Sequence, residues 1–126
     1  MSKSLRLTPR ELDIMSVLWA RGSATVEEIR SELSDELAYV TVQSMLRVLE
    51  AKHFVRHTQE GRAFVFHPLV DQDDAADSAL RRLVNKVYHG SRELLVNRLV
   101  ADEDIDVDEL RRITSILKQR IREAEK

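Results

Sequence analysis

The chain has 126 residues, of which 43% are hydrophobic and 33% are charged, and its formal net charge is −2. This length and balance are typical of a soluble globular protein with one domain, or one small domain plus an added element. The absence of cysteine excludes disulfides and thiolate metal sites, and no apolar run approaches the roughly 18 residues of a membrane span. Because the N-terminus lacks the apolar segment of a secretory signal, we predict a cytoplasmic protein without membrane insertion.

Two capping boxes predict the first two helices. Thr8-Pro9-Arg10-Glu11 combines an N-cap residue, a proline at the first helical position and a glutamate three residues after the cap. Gly22 ends this helix, and Thr25 with Glu28 forms the second capping box. At helical spacing, the predicted apolar positions are Leu12, Ile14, Met15, Leu18 and Trp19 in the first helix, and Val26, Ile29 and Leu33 in the second.

A third helix is predicted from Tyr39 or Val40 to about His53. Its apolar positions are Val42, Met45, Leu46 and Leu49. The other predicted helices carry many charged residues on their polar faces, whereas this one begins with mostly neutral hydrogen-bonding side chains. Its polar positions are Tyr39, Thr41, Gln43, Ser44 and Arg47.

A β-hairpin is predicted after the third helix. Residues 54–58 and 62–67 are short segments rich in aromatic and β-branched side chains, and Gln59-Glu60-Gly61 lies between them. We expect an antiparallel pair whose turn uses Gly61 and whose second strand is closed by Pro68.

The second half of the chain is predicted to be entirely helical. Asp71 or Asp73 can cap a helix that runs to about His89, and Ser91 can cap a short helix after Gly90. The last helix begins at the capping signature 106–109, and its apolar positions are Leu110, Ile113, Ile116, Leu117 and Ile121.

The order helix, helix, helix, hairpin is the plan of a winged helix-turn-helix, in which the third helix enters the DNA major groove. Residues 39–62 carry four basic and two acidic residues, and Arg62 is predicted at the hairpin tip. Neutral donors and acceptors can contact base edges. The alternative is an ordinary solvated helix surface, and a related alternative is a winged-helix module that binds protein. The predicted DNA-binding residues are Tyr39, Thr41, Gln43, Ser44, Arg47 and Arg62.

The sequence also resembles the penicillinase-repressor family of bacterial transcriptional repressors (the BlaI, MecI and CopY type). The segments that carry this resemblance are 7-LTPRELDIMSVLW-19, 40-VTVQSMLRVLEAKHFV-55, 61-GRAFVFHPLV-70 and 86-KVYHGS-91. It implies a mostly α fold with a small β-hairpin, namely a winged-helix DNA-binding domain (1–70) followed by a helical dimerisation domain (71–126). It further implies a repressor that binds a palindromic double-stranded DNA operator, with antibiotic-resistance or stress genes as candidate targets.

The apolar stripe of the last helix supports a homodimer. A small monomer has too little other surface to cover this stripe, and a twin subunit would bury it. The alternative is that the stripe packs onto the first half of the chain. The predicted interface residues are Tyr88, Leu110, Ile113, Leu117 and Ile121.

The resemblance also implies a regulatory protease that cuts an Asn-Phe bond in the dimerisation domain. The closest position here is Arg98-Leu99, with Asn97 one residue earlier, so the sequence departs from that motif. The copper-responsive branch has a cysteine-rich metal motif that this chain lacks. His53 and His57 have a metal-chelating spacing only if they share a helix. We therefore predict no metal, no cofactor and no catalytic residues, because no nucleophile motif or phosphate-binding loop is present.

Overall fold

The computed structural model describes residues 6–126, which form six helices and three strands. The elements are α1 (Pro9–Arg21), β1 (Ala24–Thr25), α2 (Val26–Glu32), α3 (Tyr39–Ala51), β2 (Val55–Glu60), β3 (Ala63–Pro68), α4 (Gln72–Val87), α5 (Arg92–Val100) and α6 (Val107–Ala124). The chain divides into two compact units inside α4, the first ending at Leu80 and the second beginning at Arg81. No helix in the described part of the chain is long and apolar enough to cross a membrane.

Local capping determines where α1 and α2 begin. In α1 the Glu11 N–H donates to Thr8 Oγ1 at 3.1 Å, and the Thr8 N–H donates to Glu11 Oε1 at 2.9 Å. Thr25 and Glu28 make the same reciprocal pair at the start of α2. Both predicted capping boxes are therefore confirmed. Gly22 follows α1 with φ 84°, a left-handed conformation that glycine adopts without a steric penalty.

The first unit has a continuous hydrophobic core, contributed by α1, α2, α3 and the sheet. Its buried residues are Ile14, Met15, Leu18, Ala24, Val26, Ile29, Val42, Leu46, Leu49, Phe54, Val55 and Phe66. Leu12, which shares the helical spacing of these apolar residues, lies outside the core and is 43% exposed, whereas the neighbouring Glu11 is buried. Trp19 packs at the edge of the core and donates its Nε1–H to the Val70 carbonyl at 3.0 Å.

The sheet has three strands in the order β1-β3-β2, all antiparallel. The predicted hairpin is confirmed, but β2 continues to Glu60, which pairs with Ala63. The turn is therefore Gly61-Arg62 rather than residues 59–61, and Gly61 has φ 62°. Strand β1 was not predicted, and its two residues pair with Val65 and Phe66 in the middle of β3.

The second unit contains the end of α4 together with α5 and α6. Ser91 Oγ accepts from the Leu94 N–H at 3.2 Å, and Asp106 Oδ1 accepts from the Glu109 N–H at 2.8 Å, which confirms both predicted caps. The alternative prediction that Asp73 is the N-cap of α4 was wrong. The helix begins at Gln72, so Asp73 lies inside its first turn. Neither α5 nor α6 contains a fully buried residue.

Candidate nucleic-acid interface

The packing of α3 against the core determines which of its side chains face solvent. Val42, Leu46 and Leu49 lie three or four residues apart and are fully buried, while Met45 is half-buried beside them. The opposite side of α3 is exposed and consists of Val40, Ser44, Arg47 and Val48, which we call the outward face. No acidic residue lies on this face, so it can approach a polyanion without like-charge repulsion.

The predicted DNA-binding residues of α3 are distributed over three sides of the helix. Ser44 and Arg47 share the outward face and are exposed. Tyr39 and Gln43 lie one turn apart on one flank, where Tyr39 is exposed and Gln43 is half-buried. Thr41 is exposed on the other flank. Ser44 and Arg47 are thus the most accessible to a partner that approaches the outward face, and Gln43 is the least accessible of the five.

Two residues of the outward face were missed by sequence reasoning. Val40 is 66% exposed and Val48 is 49% exposed, and they lie one turn before and one turn after Ser44. Their position around the helix axis, relative to the buried residues, would have identified them as exposed. Both valines fall out of step with the buried positions Val42 and Leu46, although their chemistry resembles that of the core.

The N-terminus of α3 is open to an anion. Its N-cap residue, Ala38, makes no side-chain hydrogen bond, and its first turn contains no acidic residue. Every other helix within residues 6–126 has at least one acidic residue in its first turn. Because helix N-termini carry partial positive charge and free N–H groups, this end of α3, where Tyr39 is exposed, can accept a phosphate.

The wing (β2, β3 and the turn between them) supplies the second candidate contact. Arg62 occupies the turn and is exposed, as predicted, and Arg56 is exposed on β2. A cation at a hairpin tip is suited to contact phosphates, because such contacts need charge and reach rather than a fixed pattern of donors.

His57 connects the wing to the end of α3. Its Nδ1 lies 2.6 Å from Glu50 Oε2, and its ring meets the Phe64 ring edge-on with 5.2 Å between centroids. His53 follows the end of α3 whereas His57 lies in β2, so the two histidines do not share a helix. Within the described residues no three side chains of the metal-binding types cluster together.

An ion pair between the buried Glu11 and the partly exposed Lys52 connects the C-terminal end of α3 to α1. Lys52 Nζ donates to both carboxylate oxygens of Glu11, at 3.0 and 2.8 Å, and Glu11 is buried. Burial favours a raised pKa for the Glu11 carboxyl, but the hydrogen bonds and charge of Lys52 and the Thr8 hydrogen bonds together lower that pKa below 4.5. The carboxylate therefore stays ionised at neutral pH and holds Lys52 in place.

Four of the five predicted dimer residues fall on one side of the last helix. Leu110, Ile113, Leu117 and Ile121 recur at helical spacing, the first two half-buried and the last two about half exposed. Tyr88, which follows α4, is half-buried. Other exposed hydrophobic side chains from this part of the chain are Leu83, Val87, Leu94, Val96, Leu99, Val107 and Ile116.

Comparison with known proteins identifies the family. The sequence matches the family model described as "Penicillinase repressor" over residues 7–119. The penicillinase repressor of Bacillus licheniformis is 28% identical over 121 residues, which cover 94% of each chain. The transcriptional regulator BlaI of Mycobacterium tuberculosis is 32% identical over 94% of this chain and 89% of its own.

A solved structure agrees with this match. The solution structure of the monomeric form of Bacillus licheniformis BlaI in complex with the blaP half-operator covers 59% of this chain and 93% of its own, with 34% identity and a TM-score of 0.50. These findings confirm the predicted winged-helix fold and the resemblance carried by the sequence motifs. The chain belongs to the penicillinase repressor family.

Proposed function

We propose that this protein is a cytoplasmic, sequence-specific DNA-binding repressor whose α3 enters the major groove of an operator. The observation that carries the proposal is the acid-free outward face of α3, held in place by the buried residues behind it. Ser44 and Arg47 on that face can donate to base edges or phosphates, while Arg62 on the wing provides a cation for the DNA backbone. The related BlaI protein bound to a half-operator supports the same role here.

Selection of bound sequences from a random DNA pool tests this proposal. A repressor should enrich one sequence with two inverted half-sites about one helical turn apart. Affinity for that sequence should fall steeply with salt, with a slope of about 0.9 per phosphate contacted. A winged-helix module that binds protein would enrich no sequence, and this result would refute the proposal.

We further propose that the operator is bound by a homodimer held together through the second unit. The support is the set of exposed apolar side chains on α6 and the absence of fully buried residues in α5 and α6. A second copy of the chain could cover these side chains with the same residues of its own, because two-fold interfaces are self-complementary. Light scattering should give about twice the chain mass of 14.6 kDa at micromolar concentration, and a monomer would contradict the proposal.

Regulation by a protease acting near Arg98-Leu99 is the third part of the proposal. This bond lies in the last turn of α5, and Leu99 is 62% exposed. Helix ends unfold locally at low cost, which would expose the backbone to a protease. Cells that express the protein can be challenged with a β-lactam and followed by immunoblotting. Cleavage within α5 would support this regulation, and an intact chain throughout induction would rule it out.

A further inference from the structure

The outward face of α3 presents two aliphatic side chains to solvent. Val40 and Val48 lie on either side of Ser44, so the three residues form one row along the helix. Single exposed hydrophobic residues are common on protein surfaces. Here, however, two valines share the row with Ser44 on the surface that we propose enters the major groove.

Neither valine is explained by the stability of α3 itself. β-branched residues are less favourable in a helix interior than alanine, lysine or arginine, because the preceding turn restricts their χ1 angle. Val40 and Val48 keep much of their surface in water, so core packing does not offset that cost as it does for Val42. The row therefore suits a partner with apolar groups at matching positions.

The major groove offers one such group, the C5-methyl of thymine. We infer that Val40 and Val48 contact thymine methyl groups in each operator half-site, an inference that rests on the proposed DNA-binding function. Eight residues of α-helix separate the two side chains by about 12 Å. This distance spans about three to four base-pair steps at 3.4 Å each. The half-site should therefore carry two methyl-bearing positions with about that separation, and Ser44 and Arg47 should face the base pairs between them.

Replacement of thymine by deoxyuracil tests the inference, because it removes only the methyl group. The full-length protein is titrated by fluorescence anisotropy against its selected operator, with each thymine replaced in turn at constant salt. For the wild type, two positions per half-site should show a loss of affinity of about threefold to fourfold, the effect expected for one buried methyl group. Val40→Ala should abolish the loss at one position and Val48→Ala the loss at the other.

Leu12→Ala provides the matched control, since Leu12 is an exposed aliphatic residue of α1 outside the proposed interface. This variant should keep both sensitivities to deoxyuracil. Circular dichroism should show that both valine variants melt at or slightly above the wild-type temperature, because alanine favours the helix.

The outcomes separate the inference from the function on which it rests. Specific binding with no sensitivity to deoxyuracil would overturn the thymine-methyl contact and leave the repressor function intact. An equal loss of affinity by Val40→Ala for thymine and deoxyuracil operators would also overturn it, because the lost contact would not involve the methyl group. Failure to enrich any DNA sequence would overturn both.

Discussion

The Glu11–Lys52 ion pair leads to a quantitative prediction about the stability of the first unit. Lys52→Met keeps the length of the side chain but removes the ammonium group that donates to both Glu11 oxygens. The Glu11 carboxylate then remains buried and keeps the hydrogen bond from the Thr8 N–H at 2.9 Å. A buried charge that loses its partner is destabilising even when the original pair was close to neutral.

The expected loss in the free energy of unfolding is about 1–3 kcal/mol at neutral pH, the cost of leaving one buried polar group without a partner. Larger values apply when both members of a pair are buried, but the Lys52 side chain is 41% exposed, so solvent already screens part of the attraction. In urea, with a slope of about 1–3 kcal/mol per molar, the unfolding midpoint should fall by roughly 1 M.

Trp19 provides the assay, because it is the only tryptophan of the chain and packs against the core of the first unit. Its fluorescence during urea unfolding follows that unit. The folded-state pKa of Glu11 is lowered, so the stability contributed by its ionised form is present above the ordinary pKa of 4.5 and is lost as pH falls through the folded value. The difference between wild type and Lys52→Met should therefore be large at neutral pH and shrink at acid pH.

The control is to introduce Lys52→Met into a Glu11→Gln variant. Glu11→Gln removes the charge and keeps an oxygen that can accept a hydrogen bond from the Thr8 N–H. Lys52→Met should cost much less stability in this background than in the wild type, so the loss in the double variant should be smaller than the sum of the two single losses. A cost for Lys52→Met that is the same at neutral and acid pH, or the same in both backgrounds, would refute the electrostatic account and point to lost packing instead.

Three variants test the remaining roles. Arg47→Ala should weaken operator binding by about 1–3 kcal/mol if its guanidinium contacts a base, and anisotropy titration with the selected sequence measures this loss. Arg62→Ala should weaken binding to all sequences alike and reduce the salt slope by about 0.9; an unchanged slope would exclude a phosphate contact. Leu117→Asp should halve the mass found by light scattering and leave Trp19 fluorescence unchanged.

Local signals in the sequence predicted most of the secondary structure. The capping boxes at Thr8 and Thr25 were predictable because N-cap and N3 residues contact each other within a single turn. Strand β1 was not, because two residues have no periodicity and their pairing depends on β3, about 40 residues later. The hairpin turn was misplaced because Gly61 is compatible with several loop lengths and the register decides among them.

The candidate site was predicted in part. Helical periodicity correctly separated the buried side of α3 from the exposed side, so Ser44 and Arg47 were assigned to the surface. Val40 and Val48 were missed because valine is usually taken as a core residue, and only its phase relative to Val42 indicates exposure. The Glu11–Lys52 pair could not be predicted, since its members are 41 residues apart and meet only through the packing of α1 against α3.

The two units differ in where their stability comes from, and this difference makes a last prediction. The first unit has a core of fully buried side chains, whereas α5 and α6 have none and expose Leu117 and Ile121. If a second copy covers these residues, dilution should lower the melting temperature of the second unit but not that of the first. Trp19 fluorescence follows the first unit, and helical circular dichroism includes the second. A circular dichroism melting curve that does not shift with dilution would show that α5 and α6 do not depend on a partner for their stability.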